Sequence, residues 1–491
     1  MTNETRRPPY GRKPAPGTAK PVARKGAPIR KDMPPRPARR EGNFVSQSAR
    51  RVALDVLLEV SLQDAYASLA LSHHLQGPIF LSDRDKRLVT ELVYGTLENK
   101  IRLDYMIDSY LERKELDAVV REILRMAAYQ LFFLDRVPDM AAVDEAVKLT
   151  RARAGENYTG LVNGVLRTML REKDRVVYPK PDAEPARYLS VMFSLPVFLA
   201  QRLIDAYGPQ TALAIAKYRQ DEHEMTLRPN LERTTVEAFE RFLRQSGIQF
   251  EPGLVPGAYR VKQPGDMTAR AEYKSGLFSI QSESSMLAAN ALGARPGQSL
   301  LDACAAPGGK TAVLSETMHG TGRVYAWDLH EHRVALIRAM AQRLHLDNVR
   351  AAQRDASQLR EDLILTMDGV LLDAPCSGTG VMLSKPDIKY RQTQESVAAL
   401  VSTQQKLLEA CCQYVRPGGT LVYSTCSILP EENVEQVNAF LKAHSEFHLE
   451  PLGELLPEAI RPHEENGTIQ LLAHRDGMDG FFIARMRRSE G

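Results

Sequence analysis

The chain has 491 residues, 43% of them hydrophobic, which is enough apolar material for more than one core, so two to four domains are expected. No apolar run reaches membrane-spanning length and the start lacks the apolar stretch of a secretory signal, which predicts a cytoplasmic protein with no membrane partner. The formal net charge of +3 conceals a division: residues 1–40 hold twelve Lys or Arg against two acids, a local +10, so the remainder carries about −7 by subtraction.

Nine prolines and almost no large apolar side chains share those 40 residues. Such a segment cannot offset its ordering entropy, and residues 1–45 are expected to be a disordered basic tail whose charge suits a phosphate backbone. Residues 46–171 then read as helical throughout. Ala49, Val52, Ala53, Val56, Leu57 and Val60 make one apolar stripe; Leu88, Leu92 and Val93 make another, and Val120, Ile123, Leu124, Ala127 and Leu131 a third. Ser82, with Asp85 three residues on, reads as a weak capping box. Arg84, Lys86, Arg87, Arg151, Arg153 and Arg167 are candidates for facing a polyanion, although a solvated helix surface explains any one of them.

Residues 172–187, with Pro179, Pro181 and Pro185 among charges, read as a linker. Residues 188–272 mix short helices (196–207, 210–219 and 236–246) with strand-like segments at 225–230 and 259–261, a small α/β piece. From 273 to 491 strands and helices alternate, as in a parallel α/β sheet.

The informative stretch is 300–311. An apolar run ends in Pro307-Gly308-Gly309 and passes into a helix, so side chains shrink where a ligand can meet backbone and the first helical amides. Gly309-Lys310-Thr311 carries the last letters of a phosphate-binding loop. The glycine required five residues earlier is replaced by Cys304, and Pro307 interrupts the interval, which argues against an ATPase. Asp328 closes a second strand some 20 residues beyond the glycines, where a doubly wound sheet puts the carboxylate for a ribose. Asp355 follows a third strand (349–353), placed to reach an adenine edge. A fourth strand ends in Asp373-Ala374-Pro375-Cys376, and a fifth (420–424) ends in Thr425-Cys426, so two thiols are expected on neighbouring strand ends at the ligand side. Residues 330–344, 394–414 and 431–441 read as helices, 480–485 as an edge hairpin strand, and 385–389 as a lid. Five cysteines without paired spacing argue against a disulfide framework, and the absence of Cys-x-x-Cys or clustered His predicts no metal. Cys304, Cys411 and Cys412 read as small buried hydrophobes.

Residues 304–311, 373–380 (Asp-Ala-Pro-Cys-Ser-Gly-Thr-Gly) and 423–427 (Tyr-Ser-Thr-Cys-Ser), in this order, resemble the RNA cytosine-5 methyltransferases that use S-adenosylmethionine, and the resemblance extends to 479–484. Leu161-Val162-Asn163-Gly164-Val165-Leu166-Arg167 resembles the N-terminal domain of the bacterial 16S rRNA members, itself similar to the transcription antitermination factors. The resemblance covers nearly everything after the first 45 residues. It implies an all-α RNA-binding domain, a small α/β RNA-recognition-like subdomain and a Rossmann-like α/β methyltransferase domain. It also implies a monomer acting on one cytosine of 16S rRNA, free or in a small-subunit assembly intermediate, with a tRNA enzyme or a non-catalytic assembly protein as alternatives.

Carbon 5 of cytosine is too weak a nucleophile to take a methyl group from a sulfonium until a thiolate has added at carbon 6. The resemblance makes Cys426 that thiolate and gives Cys376 a part in product release, opposite to the DNA cytosine methyltransferases; spacing alone does not choose. Asp373 would hydrogen bond the base, and Lys310 would place positive charge near the reacting centre or the cofactor carboxylate. Cofactor contacts are expected from Cys304, Ala305, Ala306, Pro307, Gly308, Gly309, Lys310, Asp328, Arg333, Asp355 and Asp373, with Ser279-Ile280-Gln281 helping to close the pocket.

Overall fold

The computed structural model describes residues 48–77, 81–219, 224–262 and 264–490. The expected basic tail lies outside them. Seven helices come first: α1 (Ala49–Leu62), α2 (Ala67–Gln76), α3 (Asp83–Glu98), α4 (Lys100–Asp108), α5 (Ala118–Phe133), α6 (Asp139–Arg153) and α7 (Thr159–Arg171). The three stripes read from the sequence meet in one core, with Val52, Leu57, Leu92, Val93, Ile123, Leu124 and Leu166 fully buried. Ser82 caps α3 by accepting from the Asp85 amide at 3.2 Å; its hydroxyl donates to the Asp85 carboxylate at 2.6 Å, in place of the reciprocal backbone bond of a full box.

The stretch expected to be a free linker lies against this domain. Tyr110 Oη donates to the Glu172 carbonyl (2.5 Å) and Tyr105 Oη to the Val177 carbonyl (2.6 Å), and α8 (Pro185–Phe193) starts at a proline, whose fixed φ suits the first helical turn. The two short helices expected next form one span, α9 (Val197–Lys217), broken inside by Gly208 at φ 77° before Pro209.

A four-stranded antiparallel sheet follows, in the order β2-β3-β1-β4: β1 (Glu224–Pro229), β2 (Gln249–Pro252), β3 (Tyr259–Lys262) and β4 (Phe278–Ile280). Helix α10 (Val236–Gln245) buries Phe239 and Leu243 against Leu227, Val261 and Phe278. After α11 (Ala271–Lys274) and α12 (Glu283–Asn290), a second sheet is laid down by β5 (Ser299–Asp302), α13 (Gly309–Thr317), β6 (Arg323–Asp328), α14 (Glu331–Leu344), β7 (Val349–Gln353), β8 (Met367–Asp373), α15 (Gln394–Cys411), β9 (Val415–Thr425), α16 (Val434–Ala443), β10 (Phe447–Leu449), β11 (Glu464–Glu465), β12 (Thr468–Leu471) and β13 (Phe481–Arg488).

The path through this sheet is β11-β12-β13-β9-β8-β5-β6-β7, with β10 also pairing β13. Strands β7, β6, β5, β8 and β9 run parallel, while β13 lies antiparallel to β9. The chain goes outward from β5 through β6 and β7, then returns to β8 on the other side of β5. The carboxyl ends of β5 and β8 therefore flank a topological switch point, the place where open α/β sheets take their ligands. The expected edge strand at 480–485 is an interior one. It sits between β9 and β12, because the short strands β10, β11 and β12 give no alternation long enough to read in advance. No helix among the described residues is long and apolar enough to cross a membrane.

Candidate active site

At the switch point the sheet presents two acids, a lysine and two thiols. Buried Asp302, the last residue of β5, accepts from Thr311 Oγ1 at 2.6 Å, while its Oδ1 has no partner among the described residues. Burial pushes this carboxyl up to about 7, against the opposing hydrogen bond from Thr311 and charge of Lys310. The loop that follows has a cis Ala306-Pro307 bond and Gly308 at φ 111°. That φ is one side chains rarely adopt, which calls for glycine here, and the position lies against Met340 and Ile337 of α14. Gln281, from the end of the small sheet, lies against Gly309.

Asp328, 3% exposed, ends β6. Its Oδ1 accepts from the His330 amide (3.2 Å), its Oδ2 lies 3.3 Å from Arg333, and Arg333 also donates to the Ala306 carbonyl at 3.1 Å, which ties the second strand end to the glycine loop. Asp355, two residues past β7, accepts from the Ser357 amide (3.0 Å) and hydroxyl (2.6 Å) and from Gln358 (3.2 Å); the Ser357 hydroxyl holds its carboxyl below the usual range. Cys304 is half-buried and packs on the sheet core, and burial raises its thiol well above the usual range; Cys411 and Cys412 are buried beside the same strands.

Lys310, in the first turn of α13, donates to Asp373 Oδ2 at 2.6 Å, and Ser424 Oγ donates to Asp373 Oδ1 at 2.9 Å. Burial depresses the Lys310 ammonium, but the charge and hydrogen bond of Asp373 outweigh it and the net shift is upward, so this residue is a fixed cation. Its Nζ also stands 5.2 Å from the centre of the Phe481 ring, on β13.

Cys376 and Cys426 follow the paired strands β8 and β9, with their sulfurs 3.2 Å apart. Either sulfur can donate in this contact, and the surroundings favour Cys376 as the donor, with Lys310 and Lys385 on the side of Cys426. That hydrogen bond lowers the Cys426 thiol, against burial and the Asp373 charge and with help from Lys310 and Lys385; the same bond, with burial, raises Cys376 well above the usual range. The pair is thus electrically asymmetric, with Cys426 the sulfur that gives up its proton first.

The sequence reading passed over what holds the two thiols together. Glu432, fully buried, accepts from the Ser377 amide (2.8 Å), the Ser377 hydroxyl (2.5 Å), the Ser427 hydroxyl (2.5 Å) and the Gln404 amide (3.0 Å), so one carboxylate joins the residues that follow each cysteine. Asn433 adds a bond to the Ser427 carbonyl (2.9 Å), and Thr425 Oγ1 donates to Asn433 (2.5 Å). Gly380 N donates to the Cys426 carbonyl and Gly480 N to the Gly380 carbonyl, both at 2.9 Å, and a β-carbon on Gly380 would lie 2.0 Å from Gly480 O. Asp302 and Glu432 gave one signal each: an acid closing an apolar strand, and an acid beside Pro430 just after the Cys426 motif.

Away from this site, Glu59, His73 and His74 bring possible ligand atoms within 4.8 Å of one another, a grouping hidden from the sequence by the distance between α1 and α2. His74 Nε2 and Glu59 Oε1 are already hydrogen-bonded at 2.7 Å. On the helical domain Arg151 pairs with Glu156 and Arg153 with Asp55, both at 2.5 Å, whereas Arg84, Arg87 and Arg167 are exposed and form no ion pair among the described residues.

Residues 289–487 match the model of the 16S rRNA methyltransferase RsmB/F family, residues 47–171 that of the NusB family, and residues 195–268 that of a ferredoxin-like domain of RsmF/B-like methyltransferases. A probable ribosomal RNA small subunit methyltransferase B of Bacillus subtilis (strain 168) is 38% identical over 90% of this chain and 99% of its own length. The chain belongs to this RsmB/F family. A ribosomal RNA small subunit methyltransferase B of Pasteurella multocida is 32% identical over 90% of the chain and 96% of its own length. Among solved structures, PH0851 superposes with a TM-score of 0.76 over 91% of this chain and all of its own at 24% identity, a likeness of fold. A methyltransferase homolog from Pyrococcus horikoshii matches with a TM-score of 0.52 and 28% identity over 63% of this chain and all of its own.

Family membership makes S-adenosylmethionine the cofactor, and the residues at the switch point fit it. The unpartnered oxygen of Asp302 suits a cationic ligand, the loop at Gly308 and Gly309 leaves backbone open to approach, and Asp328 stands at the second strand end, the position from which doubly wound sheets reach a ribose.

Proposed function

We propose that this protein methylates carbon 5 of a cytosine in 16S rRNA through a covalent bond between Cys426 and carbon 6, with the helical domain at residues 46–171 contributing to RNA binding. The observation that carries this reading is the 3.2 Å contact between the Cys376 and Cys426 sulfurs beside the Lys310–Asp373 pair. The relatives' names, as small-subunit ribosomal RNA methyltransferases, support the substrate class over tRNA.

In this reading the target base leaves its stack to reach the pocket. Cys426, already lowered by the Cys376 hydrogen bond, adds as thiolate to carbon 6. Asp373 faces the ring nitrogen and amino group, and the Lys310 ammonium stabilises charge as the ring gains electron density. Bound S-adenosylmethionine supplies the methyl group to carbon 5 as the sulfonium's leaving bond breaks. Cys376 assists release: the carbon 5 proton passes to a water molecule, its bonding pair re-forms the ring double bond, and Cys426 leaves as thiolate. Residues 304–310 with Asp328, Arg333, Asp355 and Asp373 are proposed to hold the cofactor.

The test is a pair of alanine variants given labelled rRNA and cofactor, read on denaturing gels with bisulfite mapping of the product. Cys426→Ala is expected to lose methylation and adduct together, while Cys376→Ala accumulates a denaturation-resistant protein–RNA adduct. An adduct from Cys426→Ala and none from Cys376→Ala reverses the roles. Wild-type turnover by Cys426→Ala eliminates the nucleophile.

A further inference from the structure

The segment between Cys376 and α15 would be expected to depend on its own catalytic domain for its shape. Its near end does: Gly380 is locked between the Cys426 carbonyl and Gly480. Its far end, residues 387–391, is held instead by the N-terminal helical domain, 291 to 327 residues away in sequence, and by α8, 196 residues away.

Each of four side chains there makes a specific bond. Asp387 Oδ2 accepts from the Ala67 amide at the start of α2 (3.2 Å). Lys389 Nζ, buried, donates to the Glu98 carbonyl at the end of α3 (3.0 Å) and to the Phe193 carbonyl at the end of α8 (3.4 Å). Tyr390 Oη donates to the Leu97 carbonyl at 2.7 Å. The Arg391 guanidinium spans the α1–α2 turn, donating to the Asp64 carboxylate (2.7 Å) and carbonyl (3.0 Å) and to the Ala65 carbonyl (2.5 Å), and lies 4.3 Å from the centre of the Tyr66 ring. Gln392 Nε2 then donates to the Ser377 carbonyl at 2.9 Å, which carries the anchor back to the residue after Cys376.

Several of these bonds use backbone carbonyls at helix ends, groups that have no partner inside their own helices, so the segment caps α3 and α8 while it is itself held. Behind it lies a cavity of about 50 Å³, bordered by Glu98, Phe193, Arg219, Gly380, Lys389 and Gly480. Packing is incomplete on that side, and the polar anchors are what fix the loop's place. Lys389 is only 4% exposed, and that burial brings its ammonium down to about 7, partly offset by Glu98 and reinforced by Arg219.

We propose that residues 387–391 form a clamp through which the helical domain positions the Cys376 loop, with Tyr390 and Arg391 as positioning residues for methyl transfer. The inference rests on the reading of Cys376 and Cys426 as the reacting pair. It gives the helical domain a part in the chemistry that is separate from any grip on RNA: the domain holds a loop within reach of the base.

The test uses the full-length protein carrying Tyr390→Phe together with Arg391→Ala, with melting temperature, dissociation constants for S-adenosylmethionine and rRNA, and single-turnover methylation at saturating RNA measured on the same preparation. The expected result is a single-turnover rate lower by about tenfold to a hundredfold, the scale on which small misplacements of a reacting group cost rate. Both dissociation constants are expected to stay at the wild-type value, and Arg391→Lys alone to keep part of the rate that Arg391→Ala loses. A folded double variant with wild-type single-turnover rate overturns the clamp, as does a variant that loses RNA affinity while its rate at saturation is unchanged. If the double variant does not fold, Tyr390→Phe, which removes one hydroxyl and keeps the ring, decides in its place: a wild-type rate overturns the proposal and a reduced rate with unchanged affinities supports it. Cys426→Ala is run alongside. Wild-type turnover there defeats the thiol assignment itself, whereas an inactive Cys426→Ala beside an unaffected clamp variant defeats the clamp alone.

Discussion

Replacing Glu432 by Gln tests how the two thiols are held. The carboxylate accepts four hydrogen bonds, and Oε1 serves the Ser377 amide (2.8 Å) and Gln404 (3.0 Å), which a glutamine oxygen can still accept. Oε2 faces the Ser377 and Ser427 hydroxyls, both at 2.5 Å, and becomes an amide group that these hydroxyls must turn to accept from. Glutamine is neutral, so all four bonds lose their charge assistance and the two at Oε2 must also reverse, and a loss of about 2 kcal/mol or more in folding stability is expected. Glu432→Ala is harsher, since the Ser377 amide and the Gln404 side chain lose a buried acceptor, each costing about 1–3 kcal/mol. Urea denaturation measures both. Because the same carboxylate sets the spacing of the Cys376 and Cys426 loops, single-turnover methylation is expected to fall by about tenfold or more in Glu432→Gln. Wild-type stability together with wild-type rate in Glu432→Ala would refute the reasoning, since no buried carboxylate with four partners can be silent if those bonds set the site.

Asp328→Ala should weaken S-adenosylmethionine binding by roughly 1.5–3 kcal/mol, about tenfold to a hundredfold in Kd, in a protein that stays folded; calorimetry showing unchanged affinity removes Asp328 from the cofactor site. Asp302, raised by burial to about 7 from an ordinary value of 3.8, favours the protonated form when folded, so its contribution to stability is full below its ordinary value and is lost as the pH rises to about 7. Asp302→Asn should flatten the stability profile between those limits, and an unchanged profile in urea titrations at several pH values counts against the burial argument. Deleting residues 1–40 should weaken RNA binding and reduce its log–log salt slope by about 0.7–0.9 for each phosphate that the segment had neutralised, with the methylated position unchanged; equal slopes with and without the segment make it a bystander.

Four of the five parallel strands are legible because each ends at or just before a residue with chemistry: Asp302, Asp328 and Asp373 end β5, β6 and β8, and Cys426 follows β9. Such a pattern is local, and strand adjacency follows from the topology. The glycine loop drew attention from Asp302 just before it, whose role depends on total burial and a missing partner, neither of which has a sequence signature. Glu432 reads as an ordinary acid near a helix start; only the folded chain brings Ser377, 55 residues away, onto it. Residues 385–389 read as a lid, but the bonds from Asp387, Lys389, Tyr390 and Arg391 to the helical domain involve carbonyls and amides, which every residue possesses and no spacing marks. The edge assignment of the last strand failed for a related reason: β10 and β12 are too short to alternate visibly, and it is their pairing that makes β13 interior.

The interior place of β13 also constrains the order of events during synthesis. This strand follows every other strand of its sheet in the chain, yet it separates β9 from β12 and brings Gly480 onto Gly380 and Phe481 onto Lys310. Until the ribosome has delivered residues as far as 488, β9 presents an open edge and the two cysteine loops lack their third wall. A nascent or prematurely terminated chain can therefore already hold the helical domain, the parallel strands and the Glu432 bonds while lacking the Gly480 bond to Gly380 and the Phe481 ring beside Lys310.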